Sequence, residues 1–181
     1  MRNASVGLLA VVVLLGVVGC GPEHVARVNC GAEKLYFDTG NARWLPDQVL
    51  EGDARWGAVG GKTIERTGMT IAATDQQRLY LTERYGMEAY QFNVENGTYL
   101  LRLHFAETYS GITGPGQRVF TVKVNGWEAV KDLDVWKESG GSAKPLIKGI
   151  DGVKVTDGKL RIEFAAKVQN AEINAIEVLK Y

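Results

Sequence analysis

Two glutamates, Glu83 and Glu107, are the pair of side chains in this 181-residue sequence that could carry out catalysis. Glycoside hydrolases use two carboxyl groups, one as a proton donor and the other as a base or nucleophile. The sequence does not fix their separation, and each acid has another role open to it. Glu83 can pair with Arg84 or Arg102, and Glu107 can accept hydrogen bonds from loop backbone. We therefore predict a protein that is not an enzyme, with hydrolysis by this pair as the alternative.

Histidine, serine and glycine patterns give no further catalytic signal. His24 and His104 have no second histidine or cysteine at the spacing of zinc ligands, and no G-x-S-x-G motif occurs. The glycine-rich segment 111–116 lacks the lysine of a phosphate-binding loop. Asp132 and Asp134 alone supply too few oxygens for calcium. The sequence has 21 basic and 21 acidic residues and no basic run, so no cofactor, metal or nucleic acid is predicted as a ligand.

Two tyrosines, Tyr85 and Tyr109, are the candidate binding residues. Each stands beside polar residues and close to a glycine, as at the end of a strand where loops present binding groups. A sugar ring has an apolar face that an aromatic ring can cover, and hydroxyl groups that polar neighbours can bind. The pattern is therefore typical of a sugar-binding surface. The alternative is that both rings simply cover the edge of a sandwich.

Strand patterns dominate the chain after its N-terminal segment. In the clearest of them Tyr99, Leu101, Leu103 and Phe105 fall on one face, an alternation typical of a β-strand. Similar short runs occur at 90–94, 119–124, 153–155, 160–164 and 173–179, separated by Gly, Asn and Asp turns. This pattern predicts an all-β fold, a two-sheet antiparallel β-sandwich of jelly-roll type, with long loops forming a binding mouth.

Turn sequences and one irregular segment add detail to this prediction. Asn96-Gly97 and Asp157-Gly158 lie between strand patterns where tight hairpins would fit. The segment 38–69 has six glycines and no regular alternation. It is predicted to be a long, partly ordered loop, which in a compact domain is often functional.

The first twenty residues resemble a bacterial lipoprotein signal. Arg2 precedes an apolar run, 6–18, that is too short for a helix spanning the membrane, and the run ends in VVGC at 17–20. We predict a signal peptide at 1–19 and lipidation of Cys20, with an ordinary signal peptide and an incidental cysteine as the alternative. Two or more acyl chains such as palmitate anchor a protein stably.

Domain boundaries and location follow from this interpretation. Residues 20–24 would form a lipidated tether and residues 25–181 one domain. The protein would lie at the cell envelope as a membrane-anchored lipoprotein, at the outer membrane if the cell has one, because no aspartate follows Cys20. Cys30 is predicted to be a small buried side chain.

Six segments, in order along the chain, are similar to the malectin family of carbohydrate-binding domains, especially bacterial malectin-like modules. They are RVNCG at 27–31, LYLTERYG at 79–86, NGTYLLRLHFAETY at 96–109, GQRVFTVKVNG at 116–126, KDLDV at 131–135 and NAEINAIEV at 170–178. The resemblance implies a β-sandwich of jelly-roll type. It also implies a mouth made by loops that binds glucose-rich oligosaccharides.

The resemblance can be carried to individual residues. Tyr85 closes the TERY motif and Tyr109 closes the FAE-x-Tyr motif, so both match the family's aromatic residues. Ser110 stands where the family has phenylalanine, and Gln169 where it has an acid. Trp56 lies in the region of an early-loop tyrosine, and Glu107 completes the candidate carbohydrate-binding set.

Two functions are compatible with these matches and departures. The leading one is a lipid-anchored, non-catalytic module that binds an oligo- or polysaccharide, with glucose-type glycans expected. The alternative is a lipoprotein of the envelope that has a structural role or binds other envelope proteins. It would have lost the sugar site through the changes at Ser110 and Gln169.

Overall fold

The computed structural model describes residues 21–181, which fold almost entirely into strands. The elements in chain order are β1 (Glu23–Asn29), β2 (Tyr36–Phe37), β3 (Arg43–Pro46), β4 (Trp56–Glu65), α1 (Arg78–Leu81), β5 (Thr82–Asn93), β6 (Gly97–Phe105), β7 (Val119–Val124), β8 (Trp127–Leu133), α2 (Val135–Ser139), β9 (Leu146–Val155), β10 (Lys159–Val168), β11 (Glu172–Ile173) and β12 (Ala175–Lys180). One sheet has the order β2-β3-β1-β12-β6-β9. The other has the order β11-β5-β10-β7-β8, with β4 also paired to β5. The predicted all-β, two-sheet sandwich is confirmed.

The hydrophobic core lies between the two sheets. Leu101, Leu103 and Phe105 of β6 are fully buried and Tyr99 is 1% exposed, so the alternation predicted for this strand is confirmed. Phe105 packs against Phe120 of the opposite sheet, with ring centroids 5.9 Å apart. Burying one face of each strand fixes the pairing register, because a slip of one residue would turn the apolar side chains outward.

The other face of β6 holds His104 in a structural role. Its Nδ1 lies 3.0 Å from the Tyr80 hydroxyl and its Nε2 lies 3.1 Å from a Glu177 carboxylate oxygen. The ring is buried and meets the edge of Trp44, with ring centroids 5.7 Å apart. His104 is therefore a bonded sheet residue, as the absence of any second ligand or catalytic partner in the sequence indicated.

The hairpin predictions at two turns are wrong. Asn96-Gly97 joins β5 to β6 and Asp157-Gly158 joins β9 to β10, and in both cases the two strands belong to different sheets. The turns instead bind each other, since Gly158 N donates to Asn96 Oδ1 at 2.8 Å. The tight hairpin is at Asn125-Gly126, between β7 and β8, where both residues have positive φ, 46° and 86°. Such turns match the twist of paired strands.

The segment 38–69, predicted to be a loop, contains two strands. β4 pairs with β5 from Trp56 opposite Phe92 to Glu65 opposite Thr82, with a bulge at Gly60. Half of the β4 residues are exposed, including four in a row at 60–63, so the strand lacks the alternation that reveals a half-buried strand. Gly61 is required there, because a Cβ would lie 2.9 Å from the Tyr85 carbonyl oxygen.

The N-terminal boundary of the domain lies slightly earlier than predicted. β1 begins at Glu23, and both Glu23 and His24 pair with β12, so the expected tether 20–24 extends into a strand. The predicted signal peptide, 1–19, and the predicted lipidation site, Cys20, lie outside the described residues. No helix within 21–181 has the length and apolarity to cross a membrane. Cys30 is fully buried, as expected.

Candidate functional site

A cavity of about 230 Å³ opens at one end of the sandwich. Its walls come from the end of β4, the start of β5, the loop between β6 and β7, and the turn between β10 and β11. The lining residues are Ile64, Arg66, Glu83, Tyr85, Tyr109, Arg118, Gln169 and Asn170. We call this cavity the tyrosine pocket. It brings together three of the residues expected from the sequence: Tyr85, Tyr109 and Gln169.

Tyr85 is held by the sheet itself. It lies in β5 between Lys62 of β4 and Glu172 of β11, so strands pair with it on both sides. Gly86 follows it with φ 66° and donates its N–H to the Ala171 carbonyl oxygen at 2.8 Å. Because its backbone is fixed on both sides, the Tyr85 ring has a rigid support at the pocket wall.

Tyr109 lies in the loop after β6 and is 42% exposed. Its backbone N–H donates to Glu107 Oε1 at 3.0 Å, which ties the loop to a buried side chain. The end of its ring packs against Gly111, where a Cβ would lie only 2.5 Å from Cε1. The Arg66 guanidinium carbon lies 5.8 Å from the ring centroid, within the range of a cation–π contact.

Glu83 and Arg66 form part of the pocket wall, and the buried Thr108 holds Glu83 from behind. Arg66 Nη2 donates to Glu83 Oε1 at 2.9 Å, and the Thr108 hydroxyl donates to Oε2 at 2.5 Å. The expected partners Arg84 and Arg102 are engaged elsewhere, with Asp47 and Glu177 respectively. Arg84 points away because neighbours along a strand point to opposite faces, and Arg102 lies in β6 of the other sheet.

Glu107 is 1% exposed and lies behind the pocket. Its Oε2 is 2.8 Å from Arg118 Nε, although that N–H does not point at the oxygen, and its Oε1 accepts from Arg118 Nη2 at 3.4 Å. Burial raises the pKa of the Glu107 carboxyl group, while Arg118 opposes the shift. Arg118 Nη1 also donates to the Asn170 carbonyl oxygen at 2.9 Å, which holds the turn of Gln169 against the pocket.

A third acid, Glu172, lies in the same buried cluster. It is fully buried, and neither of its carboxylate oxygens has a hydrogen-bond partner among residues 21–181. Burial raises the pKa of Glu172 well above its usual value, and the charge of Glu83 raises it further. A protonated Glu172 leaves two carboxylates, Glu83 and Glu107, opposite two guanidinium groups, Arg66 and Arg118. This cluster, three of whose charged members line the pocket, is then balanced in charge.

The other predicted site residues lie outside the cavity wall. Glu107 supports the pocket from behind without lining it, and Ser110 is exposed next to Tyr109.

Gln169 lines the cavity with φ 59°, a left-handed conformation that is uncommon for a residue with a side chain. Its Oε1 accepts from the N–H of Asn170 at 3.1 Å.

Trp56 is not part of the pocket, which corrects the expectation of a third ring there. It lies opposite Phe92 in the β4–β5 pair, and the two rings stack with centroids 5.8 Å apart. Tyr85 lies opposite Lys62, six positions further along β4. At ~3.3 Å per residue the two aromatic residues are about 20 Å apart along the strand.

Sequence reasoning missed the charged partners Arg66, Arg118 and Glu172. The signal available was indirect: acids placed within strand patterns need buried partners of opposite charge. Which arginines supply them depends on contacts between residues far apart in the chain. Among residues 21–181, no three His, Cys, Asp or Glu side chains are arranged to hold a metal ion.

An all-β sandwich with a small aromatic-edged pocket at the ends of its strands defines a class of binding module. Within that class, the malectin domain model matches residues 24–178, and the chain belongs to the malectin domain family. It is 33% identical to mouse malectin and 34% identical to human malectin, in each case over 91% of this chain. The chain spans 61% and 58% of the lengths of those two proteins.

Solved structures share the fold within larger proteins. A domain of a Bacteroides uniformis beta-glucuronidase superposes with a TM-score of 0.78 at 25% identity, covering 86% of this chain and 18% of that chain. The plant receptor FER, in its complex with the peptide RALF23 and LLG2, matches with a TM-score of 0.70 at 25% identity. That match covers 87% of this chain and 48% of that chain.

Proposed function

We propose that this chain is a non-catalytic carbohydrate-binding module, held by lipid at a cell envelope, whose tyrosine pocket takes glucose-type oligosaccharides. The observation that carries the proposal is the meeting of Tyr85 and Tyr109 at one cavity of about 230 Å³. Sites for drug-sized ligands are larger, ~300–1,000 Å³. A cavity of this size suits one sugar unit at a time, with the rest of the oligosaccharide outside.

The chemistry of the pocket fits an uncharged ligand rich in hydroxyl groups. The aromatic rings offer apolar surface for the C–H face of a sugar. Glu83 offers acceptor oxygens and Arg66 offers donors, and the Arg66 Nη1 nitrogen has no hydrogen bond within the described part of the chain. The balanced charge of the cluster at the wall favours a neutral sugar over a charged one.

Modest affinity follows from the small contact area. If each ring removes ~50 Å² of apolar surface from water, it contributes about 1 kcal/mol at ~25 cal/mol per Å². Two rings and a few hydrogen bonds correspond to a Kd in roughly the micromolar to millimolar range. Many copies on a membrane would strengthen attachment to a polymer through multivalency.

Lipidation at Cys20 would hold the pocket away from the membrane. β1 begins at Glu23, only two residues after Gly21, and runs toward Asn29, which is paired near the pocket end of the sandwich. Six positions of strand at ~3.3 Å each place the pocket about 20 Å from the N-terminal end of β1. The pocket would then face outward from the envelope, where polysaccharide lies.

Glu83 and Glu107, the two acids that a hydrolase would use, have structural roles in this proposal. Glu83 is bound by Arg66 and Thr108, and Glu107 by Arg118 and the Tyr109 N–H. Glu107 is also buried behind the wall, where a glycosidic oxygen cannot reach it. We therefore favour binding without turnover, although a beta-glucuronidase contains a domain of similar fold.

The test is a glycan array with the full-length protein, rich in malto-, nigero-, isomalto-, cello- and laminari-oligosaccharides. We expect binding whose array signal Tyr85→Ala and Tyr109→Ala each remove, with thermal unfolding little changed. Tyr36→Ala serves as the control, because Tyr36 lies outside the tyrosine pocket. A blank array, or two tyrosine variants that bind normally, would refute the proposal. Chromogenic glucosides incubated with the protein should give no product.

A second candidate function is the binding of a protein or peptide. It is favoured by one specific observation, the similarity to FER in its complex with RALF23 and LLG2. Recovery of an envelope protein with the wild-type chain, together with a blank sugar array, would support this candidate over the first. Loss of that capture in Tyr109→Ala would place the protein ligand at the same pocket.

A further inference from the structure

The end of the sandwich opposite the tyrosine pocket has its own set of exposed groups. It is the end at which β1 starts, β5 finishes and β7 turns into β8. The registers place these features together, with Glu23 opposite Lys180, Lys159 opposite Asn93 and Val124 opposite Trp127. We call it the Trp127 end. The described chain starts there, so the segment that leads to Cys20 leaves the fold from this end.

Large apolar side chains are exposed at the Trp127 end. Trp127 is 49% exposed, Tyr181 55% and Val25 47%. Trp127 follows the Asn125-Gly126 turn, whose geometry needs the two turn residues and not a tryptophan. Tyr181 is fixed by its N–H to the Thr98 carbonyl oxygen at 3.0 Å. Tryptophan and tyrosine are enriched where proteins meet the headgroup region of a bilayer.

A groove of about 660 Å³ lies beside Trp127 and carries two unpaired cations. Lys154 and Lys159 line it, and neither ammonium group has an ion pair within residues 21–181. Asp157 and Glu163 are the acids of the lining. Arg161 is occupied by ion pairs with Glu163 and with a neighbouring glutamate of β5. The lining therefore has three cations and two carboxylates.

The groove is fixed by a side chain that connects the two sheets. Asn125 Oδ1 accepts from the backbone N–H of Arg161 at 2.8 Å, and its Nδ2 donates to the Lys154 carbonyl oxygen at 3.3 Å. The hairpin with Trp127 is thereby tied to β10 and to β9. A surface that is already ordered pays little entropy when it binds.

We propose that the Trp127 end lies on a lipid surface, with Trp127 in the headgroup region and Lys154 and Lys159 against anionic headgroups. The proposal rests on the lipid anchoring proposed above, since anchoring at Cys20 brings this end against the bilayer. Trp127, Tyr181 and Val25 then become buried, and the tyrosine pocket is held outward. An acidic oligosaccharide is the other occupant that this groove could take, and the experiment separates the two.

The first measurement is binding of the full-length, unlipidated protein to vesicles of phosphatidylcholine with and without phosphatidylglycerol. Trp127→Ala is expected to weaken binding roughly ten-fold on both compositions, from the loss of buried apolar area. Lys154→Gln with Lys159→Gln should weaken it roughly ten-fold only on vesicles with phosphatidylglycerol. Lys34→Gln is the control, an exposed lysine that lies outside the groove.

The second measurement places Trp127 in depth. The protein is attached to vesicles through Cys20, either by its own lipid or by a maleimide lipid, and tryptophan fluorescence is quenched by brominated lipids. We expect shallow quenching that is lost in Trp127→Phe and kept in Trp136→Phe. Because the maleimide lipid supplies the anchor in any case, failure of natural lipidation, read from the mass of the Cys20 peptide, is distinguished from failure of this proposal.

The following results would overturn the proposal. One is equal vesicle binding by the wild-type protein and Trp127→Ala, or the same quenching in Trp127→Phe as in the wild type. Another is tight binding of a galacturonate hexamer that needs Trp127 and Lys159, with no binding to either kind of vesicle. That outcome would assign the groove to an acidic sugar.

Discussion

Gly111 allows the Tyr109 ring to be moved without changing the ring itself. A Cβ at this position would lie 2.5 Å from Cε1, 2.7 Å from Cζ and 2.9 Å from the hydroxyl oxygen of Tyr109. Carbon atoms in contact lie ~3.5 Å or more apart, so in Gly111→Ala the ring must move by about 1 Å. The clashing atoms form the far end of a rotatable side chain, so the ring moves and the backbone stays.

The expected loss of affinity follows from this displacement. An intact Tyr109 contributes about 1 kcal/mol through its face and about 1 kcal/mol through a hydroxyl hydrogen bond. Its removal in Tyr109→Ala therefore weakens sugar binding roughly 30-fold. A shift of about 1 Å breaks the hydrogen bond and forfeits a quarter to a half of the contact energy. Gly111→Ala should weaken binding roughly ten-fold.

Calorimetric titration with the best glucose oligosaccharide from the array measures this effect. Gly114→Ala is the matched control in the same loop, because its Cβ would meet only Gln117 Nε2 at 3.9 Å, an ordinary contact. Thermal unfolding of both variants should match that of the wild type, since the loop is exposed. If Gly111→Ala binds as tightly as Gly114→Ala, the Tyr109 ring in its present position is not a sugar platform.

Three predictions concern buried ionisable groups. Because the pKa of Glu172 is raised above its ordinary value of 4.5 in the folded state, the stability of the wild type falls as pH rises from there toward the folded pKa. In urea denaturation Glu172→Gln should therefore lose less stability than the wild type between about pH 5 and about pH 8, and equal losses in the two proteins would contradict this. Asp47→Ala leaves the buried Arg84 charge without its partner at 2.9 Å, so the free energy of unfolding should drop by about 3–5 kcal/mol. A drop below about 1 kcal/mol would show that the pair does not stabilise the fold. Burial raises the pKa of the Cys30 thiol, so a thiol reagent should modify the Cys30 peptide only in unfolded protein, as read by mass spectrometry; rapid labelling of native protein would refute this.

Much of the fold was predictable because burial on one face leaves a pattern in the sequence. Tyr99, Leu101 and Leu103 fall on one face of their strand, and the structure buries all three, whereas Leu100 is half-buried and Arg102 exposed between them. β4 left no such pattern, since only two of its ten residues are buried, and of its three glycines only Gly61 lies against β5. Alternation of apolar and polar residues predicts a strand that packs on the core. It does not predict a strand that is held mainly by its pairing with a neighbouring strand.

The sequence predicted correctly where these turns lie, but not which strands they join. Asn96-Gly97, Asn125-Gly126 and Asp157-Gly158 all bend the chain, yet only Asn125-Gly126 joins two paired strands. The same kinds of residue pair serve a hairpin and a crossing between sheets. The choice depends on which sheet the next strand joins, and that is set by packing far along the chain.

The sequence by itself determined the strand faces, the class of fold, the family resemblance and the two tyrosines, because each is a property of neighbouring residues. Only the tertiary structure decided that Tyr85 and Tyr109 share a pocket, that Trp56 lies about 20 Å from it along the sheet, and that Glu172 is enclosed with two arginines. It also placed Trp127 at the end where the chain enters the fold. The physical reason is that pockets, buried charges and exposed ends arise where distant segments meet.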